Sequence, residues 1–329
     1  MFKKFFLVSV FLSFCFPVCL AQGAEEVQVL QGWEENATAA QVADKAQKEG
    51  FLRAVFGVAQ EVLPVDLKVK RQEVLKQFLA EHIEDLVLSY AQQEQEQREK
   101  GFFIALQVSV DQKELKELLK NWGTFYTARK KRYYQLHPKG FNSEDWDKLE
   151  ELQELSGLVQ SADAKTELSL QKEEGKWIGS LKYGEKEWTK TGPAMQDTWL
   201  RLWSRYFSLP EVKREITETM LLEVNGWVTT DGVMAFDRIL STWDAHIDYL
   251  RLLSTHMAPQ KISAVWKVST LDKAQLEKKL NSFVNGRGLS FSLNELETLQ
   301  STNKINGAGN SSKEKRDYIS PFPQAREGE

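Results

Sequence analysis

Cysteine is nearly absent from the 329 residues: Cys15 and Cys19 are the only two, and both lie in the first two dozen positions. If that segment is removed, disulfide scaffolds, zinc–thiolate sites and cysteine nucleophiles are excluded. Histidine is scarce as well, with four residues and no His-Glu-x-x-His spacing. Neither charge sign dominates. The 43 Lys+Arg against 47 Asp+Glu argue against a dedicated polyanion binder, so no nucleic-acid partner is expected. A Gly-x-Ser-x-Gly elbow and a Gly-x-x-x-x-Gly-Lys phosphate loop are both missing. Beyond the first two dozen residues no uncharged run nears the roughly 20 residues that span a bilayer, so no transmembrane segment is expected in the mature chain. What is present is 42% hydrophobic residues and ten tryptophans. That suffices for real cores, and the length predicts two or three domains at roughly 100–200 residues each.

The chain opens with Lys3 and Lys4, then runs uncharged from Phe5 to Phe16. Pro17 breaks the run, and the small residues Cys19, Ala21, Gly23 and Ala24 follow. These are the parts of a secretory signal peptide over residues 1–23, which predicts export to the periplasm. Acylation of Cys19 is the alternative, but Phe16-Pro17-Val18 is a poor lead-in to a lipidated cysteine.

A first β-α-α-β-β-α module is predicted over residues 24–128. A strand at Val27–Glu34 leads to Thr38-x-x-Gln41, a capping box that opens a helix running to about Leu63. Its stripe of Ala39, Ala43, Ala46, Gly50, Ala54 and Gly57 suits close packing on a sheet. Val74, Leu75, Phe78, Leu79, Ile83 and Leu86 mark a second amphipathic helix. A strand near Leu86–Ala91, a polar turn through Gln92–Lys100 and an alternating strand at Phe102–Val110 follow, before Asp111 caps another helix. Residues 129–210 predict a middle β-α-β-β-α module, closed by Pro210. Residues 211–300 predict a third that resembles the first. Glu223-Val-Asn-Gly-Trp227 echoes Leu30-Gln-Gly-Trp33, and Val268…Asp272…Leu276…Leu280 echoes Val108…Asp111…Leu115…Leu119. Two echoes in one order imply an internal repeat, although two ordinary strand–cap–helix units would agree in this way by chance. The Ser/Asn/Gly/Lys-rich residues 301–329 predict a disordered tail. The fold class expected is α+β: three small modules of mixed sheets with helices on one face.

Few residues offer chemistry. Asp244, His246 and Asp248 would share a face on a strand and could then hold a divalent cation, against the alternative of a solvated turn. The carboxylates Glu144, Asp145, Asp147, Glu150, Glu151 and Glu154 fit a solvated helix face. Arg129-Lys-Lys-Arg132 beside Tyr133 and Tyr134 fits a link between modules or a contact with an anionic surface. Trp33 and Trp227 are candidate binding residues, with core packing as the competing role. No catalytic residue and no cofactor is assigned.

Gly32-Trp33, the Ala-rich helix from Thr38 and the late strand Gly101–Val110 resemble exported bacterial proteins typified by the N-terminal domain of flagellar assembly protein T. The middle unit is similar to the small α/β domain at the N-terminus of the Tol-system propeller protein. This resemblance implies a non-enzymatic scaffold that contacts periplasmic or outer-membrane-associated proteins in envelope or flagellar assembly. The repeat of the Gly-Trp module at the C-terminal end departs from that family's usual last domain. Two other readings stay open: an envelope module binding glycan or peptide, and a metal-dependent hydrolase using Asp244, His246 and Asp248.

Overall fold

The computed structural model describes residues 24–258 and 261–295. The leader assigned to 1–23, both cysteines and the tail assigned to 301–329 lie outside the described residues. The fold is mixed α+β with three sheets. Among the described residues no helix is long and apolar enough to cross a membrane.

The first sheet is built from β1 (Ala24–Gly32), β2 (Val87–Arg98) and β3 (Gly101–Val110), ordered β1-β3-β2 and wholly antiparallel. Helices α1 (Ala39–Val62), α2 (Val69–Ala80) and the single turn α3 (Ile83–Leu86) separate β1 from β2. Thr38 and Gln41 exchange both bonds of the capping box, and the small-residue stripe then lets α1 settle on β1 and β3. A Cβ at Gly50 would stand 2.7 Å from a methyl of Leu106, so that helix–sheet approach requires the missing side chain. α4 (Gln112–Asn121), capped by Asp111, and α5 (Thr124–Thr127) lead out of this sheet.

Residues 92–98 correct the expected polar turn, because β2 continues through them with one register break between Gln92 and Glu94. Gln92, Gln95 and Gln97 pair with the buried β3 residues Leu106, Ile104 and Phe102 yet are themselves exposed, so both faces meet water and no apolar alternation is needed. This stretch holds chiefly through its backbone pairing with β3.

The second sheet takes β4 (Arg132–Lys139), β5 (Leu158–Gln160), β6 (Thr166–Glu173), β7 (Lys176–Tyr183) and β8 (Lys186–Gly192) in the order β5-β4-β6-β7-β8. β4 is parallel to both β5 and β6 across the crossover helix α6 (Ser143–Ser156). α7 (Met195–Ser208) packs on β7 and β8 with Trp199, Trp203, Tyr206 and Phe207 buried. Pro210 ends α7 as expected and also starts α8 (Pro210–Ile216), where its missing N–H is not needed. Buried residues from Val29 to Val212 form one continuous core, so the first two sheets share an interior.

The third sheet repeats the first. β9 (Glu218–Trp227), α9 (Thr230–Ser241), β10 (Tyr249–Ala258), β11 (Lys261–Thr270) and α10 (Lys273–Val284) follow the β-α-β-β-α order, and β9-β11-β10 matches β1-β3-β2. One strand is added. β12 (Ser290–Glu295) pairs antiparallel with the outer edge of β9, so the order becomes β10-β11-β9-β12. This sheet encloses a separate core around Trp266, Phe236 and Trp243.

Candidate functional site

The two Gly-Trp pairs are not structural counterparts. Val108 pairs with Glu25, and Val268, its match in the repeat, pairs with Met220. Along the strands, Ile104 then meets Val29 where Ala264 meets Val224, and Phe102 meets Gln31 where Ile262 meets Trp227. The shift comes from a bulge: Gly226 is skipped between the Ile262 and Ser263 pairings and sits at φ +102°. A Cβ there would stand 2.6 Å from the Gly288 carbonyl oxygen, so only glycine fits. The bulge turns Trp227 inward to 8% exposure, tilted against Phe236, and its indole N–H has no partner among the described residues. Trp33 instead lies just past its strand, 42% exposed, and donates its indole N–H to the Arg98 carbonyl at 3.0 Å. Trp227 is therefore a core residue, whereas Trp33 latches the ends of β1 and β2.

Asp244, His246 and Asp248 lie in the turn before β10 rather than on a strand. Their carboxylates are already engaged. Lys116 on α4 reaches Asp244 at 2.8 Å and the Ile247 carbonyl at 2.7 Å, while Lys120 reaches Asp248 at 2.9 Å. Burial lowers the pKa of His246, and nearby Lys279 lowers it further. Among the described residues no group of three His, Cys, Asp or Glu is placed to hold a metal ion. Asp244, Asp248 and the Ile247 carbonyl form the third module's half of a polar clamp, and His246 takes no part in it.

The basic run joins the same clamp. Arg129 pairs with Asp272, which also caps α10; Lys131 pairs with Glu154, and Arg132 with Glu215. Its cations are thus shared among carboxylates of the middle module, the connecting helix and the third module. Three more carboxylates of α6 are likewise paired: Asp145 with Lys172, Glu150 with Lys70 and Glu151 with Lys148.

The sheet edges differ in how they are protected. Natural edge strands are blunted by bulges, charges, proline or shortness. β2 has two register breaks and carries Glu94, Glu96 and Arg98; β10 has a break at Leu252/Ser254. β5 has only three residues, and β8 presents Lys186 and Lys190. β1 has none of these except acid at one end: nine residues, unbroken register with β3, and no Lys, Arg or Pro. Its edge is the position that β12 fills on β9. Leu30 is 51% exposed on its outer face. Arg53 of α1, itself paired with Glu49, donates to the Gln28 carbonyl at 3.2 Å.

Glu25 stands at the start of β1 with its pKa raised, first by burial and then by Glu61. The fold therefore favours its protonated form. The stability this adds is present below the ordinary carboxylate range and is lost as pH rises through the raised value. Glu25→Gln is accordingly expected to lift the thermal midpoint by about 1–2 °C at pH 7 and to give no gain at pH 3. Scanning calorimetry at the two pH values checks this.

Sequence reasoning missed Arg71 and the lysine pair Lys116 and Lys120. Arg71 falls three and four positions before Val74 and Leu75, on the apolar stripe itself, and that spacing was its signal. No family model, curated protein or solved structure matches the chain.

Proposed function

We propose that this chain is a periplasmic, non-enzymatic accessory protein that acts by protein–protein contact in cell-envelope or flagellar assembly. The observation that supports this reading is the β1 edge, long and in register, which among the described residues has no neighbouring strand where the repeated module places one. An extended segment added there gains backbone hydrogen bonds along its length, a recognised mode of peptide recognition. Export is supported by Lys3 and Lys4 ahead of the uncharged Phe5–Phe16 run, and the assembly role by the resemblance of residues 24–128 to the flagellar family.

A photo-cross-linking residue placed at Gln28 in living cells tests the reading, with Thr189 on the lysine-guarded β8 edge as control. Discrete covalent adducts are expected from position 28 and none from 189. The same adducts from both positions, or none from position 28, would overturn it.

A further inference from the structure

We infer that the β1 edge receives an antiparallel strand with apolar side chains at alternate positions and a lysine or arginine where it meets Glu25 and Glu61. This rests on the reading above and specifies the partner's chemistry. The molecule contains its own template. β12 lies antiparallel on β9, with Phe291 opposite Val224, Leu293 opposite Leu222 and Glu295 opposite Met220. Phe291 and Leu293 pack on the third core, whereas Ser290 and Asn294 alternate with them on the other face. Carried across by the β9–β11 and β1–β3 registers, those three positions fall opposite Val29, Val27 and Glu25.

The first two keep their apolar character in β1; the third does not. Met220 is fully buried, but its counterpart Glu25 turns its carboxylate to α1, 3.9 Å from where a Cβ at Gly57 would stand and within the influence of Glu61 one turn on, with Glu26 next along the strand. A strand with the β12 sequence would bring Glu295 onto that acidic end, whereas a cation there would neutralise it. Like charges directly opposed across strands destabilise the pair and opposite charges stabilise it. A second copy of this chain is a poorer occupant. Self-pairing of two β1 strands about Gln28 sets Glu25 against Gln31 and Glu26 against Leu30, so neither acid gains a cation.

The full chain is titrated with two fluorescent peptides, one with the sequence Leu289–Glu295 and one with its Glu295→Lys change. The lysine peptide is expected to bind about tenfold more tightly, equivalent to about 1.4 kcal/mol. Its advantage should shrink as salt is raised. Gln28→Pro, which removes an edge N–H and adds a ring on the docking side, is expected to abolish binding. Because that variant can fail to fold, Glu25→Lys supplies the second arm and should reverse the preference toward the glutamate peptide. Equal affinities, a preference unmoved by Glu25→Lys, or a folded Gln28→Pro protein that binds as before would overturn the inference. So would a dimer in sedimentation that dissociates on Gln28→Pro. Adducts at position 28 in cells with no peptide preference would leave the general reading standing and remove this refinement alone.

Discussion

Arg71→Met is expected to destabilise the fold by about 3–5 kcal/mol, the usual penalty for removing one member of a buried charged network. Arg71 is 4% exposed, and burial lowers its pKa to about 10, so it remains charged at neutral pH. Among the described residues no carboxylate pairs with it. Its guanidinium donates instead to the Thr127 carbonyl at 3.1 Å, the Thr127 hydroxyl at 2.6 Å and the Leu155 carbonyl at 3.1 Å. Leu155 lies in the last turn of α6, so the cation sits against the negative end of that helix. The methionine would keep much of the stem's volume but leave those acceptors short of donors in a dry interior. Gly157 shows how tight the site is: at φ +63°, a Cβ would stand 2.2 Å from the Thr127 hydroxyl and 2.7 Å from the guanidinium. Arg71→Lys, with one ammonium for several acceptors, should lose less than the methionine variant but still lose measurably. Urea unfolding followed by tryptophan fluorescence measures both. A loss under 1 kcal/mol for Arg71→Met would show that the network contributes little.

That network bears on what a sequence can disclose. The strands with one wet face were legible because period-two alternation reports burial directly, as in Phe102–Val110. The helices opened by Thr38, Asp111 and Asp272 were legible because each cap residue bonds a nearby backbone N–H. Residues 92–98 were not, since a strand solvated on both faces carries no apolar period. The Gly-Trp echo misled for a different reason. A single bulge at Gly226 moves the strand by one residue, which sends Trp227 inward and leaves Trp33 outside. Sequence spacing cannot register a bulge, although the glycine is its footprint. The β1 edge was half legible: residues 27–34 read as a strand, but whether its outer edge carries a neighbour depends on sheet order and on where β12 goes.

The joint between the two cores carries the other large effect, and Lys116→Ala is expected to split unfolding into two transitions. The core that spans Val29–Val212 and the core around Trp266 are separate, so their coupling relies heavily on the polar clamp. Lys116 is nearly buried between Asp244 and the Ile247 carbonyl, and Lys120 beside it holds Asp248, whose carboxylate also accepts from the Tyr126 hydroxyl. Burial lowers the pKa of Lys116 even though Asp244 raises it. Desolvation therefore outweighs the attraction at that lysine, and a buried bridge of this kind can register the third module while adding little net stability. Truncating Lys116 strands the Asp244 carboxylate at the joint, for a loss of about 2–4 kcal/mol. A double-mutant cycle separates the two contributions. Lys116→Met combined with Asp244→Leu should recover most of that loss, because neither charge is then left unpaired. Hydrogen exchange read by mass spectrometry would show residues 220–283 of Lys116→Ala exchanging ahead of residues 29–212. One cooperative transition in that variant, or no recovery in the double one, would mean that the modules are coupled by something other than this clamp.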